Sequence, residues 1–170
     1  MGLRLVKWLT IALLILQVSS CTVSYSFKAG VISADIKTFS VEYFPNRAPV
    51  VQAQLSQYFT DALIEKIQSN TSLELVPSGG DVVFSGEIRN YDTKPTAITS
   101  QETAARNRLT IGVLVRFSNS VEPDNDFESS FSRYEDYDAS LNLTDVENEL
   151  IELIVENMVE DIYNKAFVNW

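Results

Sequence analysis

The side chains that could carry chemistry in this chain are few in most kinds and abundant in one. There is no histidine and a single cysteine, so neither a Ser-His-Asp triad nor a Cys-His dyad can be assembled. Zinc sites built on His or on several Cys are excluded for the same reason, as is an internal disulfide. Carboxylates dominate: 23 Asp+Glu stand against 13 Lys+Arg, giving a formal net charge of -10 and a pI near 4.4. That balance argues against binding nucleic acid through a global basic field. Asp145, Glu149, Glu152, Glu156 and Glu160 recur at helical spacing and form an acidic column. Its plain reading is a solvated face that adds solubility; the sharper one is a surface facing a basic partner. Asp124-Asn125-Asp126 with Glu128 lacks the spacing of a calcium loop and reads as a turn. Glu135 and Asp136 are neighbours on a strand and point to opposite faces, which disfavours a glycosidase-like pair. Gly79-Gly80 is too short to be a phosphate loop, and no serine sits in a nucleophile elbow. The inventory yields no catalytic site and no metal or cofactor site.

The basic residues are informative because they are scarce. Arg89, Arg108 and Arg116 fall on polar strand faces, and Lys94 and Arg106 flank the loop between two strands. They read either as ordinary partners of Glu87 and other acids or as an anion-contacting patch, since guanidinium pairs well with phosphate.

The cysteine has a context of its own. Arg4 and Lys7 precede the apolar run Leu9–Leu16, and Val18-Ser19-Ser20-Cys21 closes it with small residues. This is the layout of an export signal, too short to span a bilayer. The pattern resembles a bacterial lipobox, which implies cleavage after residue 20 and a lipid such as palmitate on Cys21. Removing residues 1–20 takes away Arg4 and Lys7 and no acid, leaving 150 residues with a balance of -12. Any anion contact is then local, not an attraction of the whole protein. Residues 21–30 read as a tether and residues 31–170 as one domain.

The elements that must position these residues follow from periodicity. Phe39, Val41 and Tyr43 alternate as a strand. Val51, Leu55, Tyr58, Phe59, Ala62, Leu63 and Ile67 recur at helical spacing. Leu73–Val76 is extended. Val82, Phe84, Gly86 and Ile88 share one strand face, with Ser85, Glu87, Arg89 and Tyr91 on the other. Leu109, Ile111, Val113, Val115 and Phe117 mark the strongest strand, and Phe127–Tyr137 a more polar one. Thr144-x-x-Glu147 suggests a capping box before a last helix with Val146, Leu150, Leu153, Ile154, Met158, Ile162 and Ala166 inward. The order β-α-β-β-β-α predicts an α/β (α+β) two-layer sandwich: a mixed four-stranded sheet with two helices on one face.

Several of these segments also carry a likeness. Cys21, Ser26-Phe27, Gly30, Ile32-Ser33, Lys37-Thr38 and Ser40-Val41 resemble the start of the LptE lipoproteins of Bacteroidetes. So do Gly80-Asp81, Gly86-Glu87-Ile88, Asn107–Ile111, Phe131–Tyr134 and the terminal Asn169-Trp170. The resemblance implies a lipid-anchored outer-membrane protein, facing the periplasm or seated inside its partner. That partner would be the β-barrel LptD, which the lipoprotein plugs while helping deliver lipopolysaccharide to the surface. Two helices on a four-stranded sheet are expected for that family too. The alternative is another periplasmic accessory lipoprotein, a pilot or activator of an envelope complex; an enzyme is a distant third.

Overall fold

The structure is a computed structural model that describes residues 32–96 and 105–168. The expected export signal, the expected tether and Cys21 lie outside the described residues.

Strand β1 (Thr38–Val41) is followed by helix α1 (Leu55–Asn70), a two-residue strand β2 (Glu74–Leu75), and three long strands. These are β3 (Val82–Pro95), β4 (Arg106–Asn119) and β5 (Phe127–Asp138); helix α2 (Leu143–Tyr163) and a π turn (Asn164–Val168) end the described chain. The sheet has five strands in the order β2-β1-β3-β4-β5. β1 runs parallel to both neighbours, and β3, β4 and β5 form an antiparallel meander. The expected four strands thus become five. Glu74–Leu75 adds a parallel edge against Thr38–Phe39, and two exposed residues carry no alternation that a sequence could show.

Both helices cover one face of the sheet. In α1, Leu55, Phe59, Leu63 and Ile67 recur every four residues and are buried. The Gln52 side-chain oxygen accepts the N–H groups of Gln54 (2.7 Å) and Leu55 (2.8 Å), doing the work of a cap. The helix therefore begins after Val51, which stays exposed and not on the apolar stripe. In α2 the inward stripe is Leu150, Ile151, Ile154, Val155, Met158, Val159 and Ile162; Leu153 turns outward. The capping box does not form. Asn142 precedes the helix, and Glu147 instead accepts the hydroxyl of Tyr91. These stripes meet Phe39, Phe84, Ile88, Leu109, Ile111, Val113, Val115 and Phe117 in a single core. One end is closed by aromatic rings: Phe84 lies 4.9 Å from Phe117 and 5.9 Å from Phe167, and Phe117 stacks on Phe127 at 5.3 Å.

Strand β3 departs from strict alternation. Ile88 pairs with Val113 and Asn90 with Gly112, which leaves Arg89 as an extra, bulged residue. The bulge reverses the facing of everything after it. Tyr91, expected on the polar face, is carried into the core and is only 5% exposed. Burial and the neighbouring Glu147 push its phenol well above the ordinary tyrosine range.

Asp81 pins the start of β1 to that of β3. Its carboxylate accepts the N–H groups of Lys37 (2.8 Å) and Thr38 (2.9 Å) and the Thr38 hydroxyl (3.0 Å). Those donors, the Lys37 amide foremost, hold the carboxyl below the usual range.

Candidate functional site

The face of the sheet turned away from the helices is where the scarce cations collect. Register puts Ser85, Arg116 and Glu128 in one row across β3, β4 and β5, then Glu87, Leu114 and Ser130, then Asn90, Gly112 and Ser132. Beyond the bulge come Asp92, Thr110 and Tyr134, then Lys94, Arg108 and Asp136. Arg106 opposite Asp138 completes the face toward the β3–β4 turn. Strands β3 and β4 are longer than their periodicity suggests: Lys94 and Arg106 belong to the paired ladder instead of the loop.

Four of the five cations singled out in the sequence are engaged. Arg89 donates through Nε to Glu87 (2.8 Å), Lys94 bonds Asp92, and Arg116 bonds Glu128. Arg108 is held differently. Its Nε and Nη2 donate to the two oxygens of Asp136 at 2.7 and 2.9 Å, and its guanidinium carbon sits 3.6 Å from the centre of the Tyr134 ring. The fork raises the Arg108 pKa, and Arg108 in turn holds Asp136 below the usual carboxylate range. Arg106 has no ion pair among the described residues, although its charge is felt by Asp136 and Asp138. The face is therefore electrically balanced. Near the turn, Lys94, Arg106 and Arg108 are matched by Asp92, Asp136 and Asp138, so the expected patch is a zwitterionic surface and not a positive one. Leu114 lies at its middle, 4% exposed, between Glu87 and Ser130 in register.

Sequence reasoning missed Tyr134 and Asp136 as partners of Arg108. They alternate on one face of β5, which was visible, but only the register shows which strand position they meet.

The helix layer has the opposite character. α2 carries seven acidic residues and no basic one. Two of them are ion-paired: Glu160 bonds Lys66 of α1, and Asp161 takes Arg133 of β5 in a fork with both contacts at 2.6 Å. Between the helices Tyr58 lines a groove with Glu65 and Glu156. Burial first, then Glu152, Glu156 and Glu65, raise the Tyr58 pKa. Among the described residues no group of three His, Cys, Asp or Glu side chains could hold a metal ion, and no helix is long and apolar enough to cross a membrane.

Fold and surface together define a class: a small two-layer α+β domain with one acidic helical face and one polar, internally ion-paired sheet face. Solved structures share this architecture. A protein from Xanthomonas campestris superposes with a TM-score of 0.51 at 8% identity, covering 79% of this chain and 84% of its own. A hypothetical protein from Chlamydia trachomatis gives 0.50 at 10%, covering 77% and 98%. Rare lipoprotein B from Shewanella oneidensis gives 0.43 at 11%, covering 74% and 89%. A search of curated proteins returned no sequence match. The family described as LptE, lipopolysaccharide-assembly, matches residues 36–166. The chain belongs to the LptE family.

Proposed function

We propose that this chain is an outer-membrane lipoprotein, acylated on Cys21, that seats in an LptD-type β-barrel and assists lipopolysaccharide transport to the cell surface. The family match over residues 36–166 carries the reading. The sheet face supports it physically. A polar surface whose charges are already paired can lie against a polar barrel wall without leaving buried ions unmatched. The role is non-catalytic: the chain contributes shape, a lipid tether and a few anion contacts. Those contacts are proposed at Arg106, Arg108 and Lys94 near the β3–β4 turn, with Arg89 and Arg116 further along the same face. The lipid holds the protein to the membrane because each buried methylene adds about 0.8 kcal/mol.

The test is co-purification from solubilised envelopes with mass spectrometry of the partners. A stable complex with a large outer-membrane barrel is expected. Capture of a soluble periplasmic complex without a barrel replaces this reading with the pilot or activator role.

A further inference from the structure

We infer that Asp136 is an internal stand-in for a phosphate group, and that Arg108, held flat on Tyr134, is the residue that exchanges one for the other. This deepens the anion contact proposed above and rests on that reading only for where the phosphate comes from.

Three observations separate Arg108 from the other cations of the sheet face. First, it alone there presents a two-donor edge, Nε and Nη2, to two carboxylate oxygens, the geometry that a phosphate accepts equally well. Arg89 and Arg116 each bond through Nε alone. Second, the ring of Tyr134 supports the guanidinium from one side at 3.6 Å, so the fork keeps its orientation when the carboxylate leaves. Third, the pair is open to solvent, with side-chain exposures of 36% for Arg108 and 25% for Asp136. An ion pair in contact with water is weak enough for another anion to compete.

The surroundings favour the exchange at this position. Lys94 lies beside Arg108 in register, and Arg106 is two residues along the same face. Their nearby carboxylates have other duties: Asp92 bonds Lys94, and Asp138 accepts the N–H and hydroxyl of Ser140. Once Asp136 lets go and turns to solvent, the phosphate meets three cations, two occupied acids and the released carboxylate beside them. With Asp136 in place the surface is neutral, which keeps it from holding phosphate indiscriminately.

The experiment uses the whole chain, with inorganic phosphate as one probe and phosphatidylcholine vesicles containing phosphatidic acid as the other. In the unaltered protein, either probe should move the Arg108 Nε–H resonance and leave that of Arg116 in place. A response to phosphate identifies a soluble ligand, and a response to vesicles alone a headgroup on a surface. No movement of Arg108 with either probe overturns the inference. Asp136→Asn should then tighten binding about fivefold, equivalent to about 1 kcal/mol, and Arg108→Gln added to it should abolish the gain. Glu128→Gln makes the same change in net charge while freeing Arg116. Equal tightening by Glu128→Gln, or none by a folded Asp136→Asn, refutes the exchange. A barrel that co-purifies while Asp136→Asn has no effect defeats this inference alone. Exchange at Arg108 without any barrel partner defeats the transport reading and leaves the exchange standing.

Discussion

Deleting Arg89 should cost this protein little more than mutating it. The residue is exposed, and its one ion pair, with Glu87, is half in water, so Arg89→Ala should cost below about 1 kcal/mol. Deletion also removes the bulge, yet Asn90 then follows Ile88 directly and still meets Gly112, and Tyr91 still meets Ile111 on the core face. The pairs from Asn90–Gly112 to Pro95–Asn107 all survive, and the strand alternates regularly through the former bulge. The opposite outcome has a size that can be worked out. A tyrosine buries roughly 150–250 Å², and Tyr91 is almost fully covered, so at about 25 cal/mol per Å² turning it out to solvent would cost on the order of 4 kcal/mol. That figure is an upper bound, because the unfolded chain already hides some of this surface. Asp92 turned into the core in its place would add about 1–3 kcal/mol. Urea unfolding of both variants, followed by far-UV circular dichroism, makes the comparison. A deletion variant several kcal/mol less stable than Arg89→Ala would refute the claim that Arg89 is the extra residue that sets the facing of the outer strand.

The remaining expectations are simpler. Cys21→Ala should block incorporation of labelled fatty acid and release the protein from the membrane fraction; label on the variant would refute the lipobox. Ile154→Ala, at a position with no exposure, should cost about 2–5 kcal/mol in denaturant unfolding. Gly86→Ala should cost about 3 kcal/mol or more, because the new methyl would sit 2.0 Å from the Leu114 carbonyl oxygen. Asp81, Asp136 and Glu160 all have folded-state pKa values below their unfolded ones. Their contribution is full above the unfolded carboxylate pKa, about 4, and is lost as pH falls through the folded values. Asp81→Asn should flatten that acid limb in a pH series of thermal melts, and an unchanged limb would contradict it.

The helices and the long strands were legible because each has one apolar face at its own period, as Phe59, Leu63 and Ile67 or Leu109, Ile111 and Val113 show. What stayed hidden depends on which strand meets which. Glu74–Leu75 is a strand only because Thr38–Phe39 lies beside it. Tyr91 reads as polar-facing unless the extra residue is known, and a bulge leaves no mark on composition. The same holds at the candidate site. Arg108 could be named from its alternation, but its neutrality comes from Asp136, 28 residues away and opposite only in this register. A cation's availability is a property of its partner, so a basic patch can be read from sequence only as a set of positions.

The division of charge between the two faces constrains how such a domain can meet an anionic surface. Seven acids on α2 and Asp61 and Glu65 on α1, even with Glu160 and Asp161 ion-paired to Lys66 and Arg133, make the helical side repel phosphate-bearing lipids. The range of that repulsion is about 8 Å at physiological ionic strength, comparable to the thickness of one helix, so the sheet on the far side is largely shielded from it. On the sheet, Glu87, Asp92, Glu128 and Asp136 each meet a cation, which leaves no net barrier there. The ion pairs thus do something other than stabilise. Exposed pairs add little to folding, yet they lower the field on one face of a strongly acidic protein. Any phosphate-bearing ligand approaching the domain therefore meets least resistance on the sheet side, where Arg108 and Tyr134 stand near the β3–β4 turn.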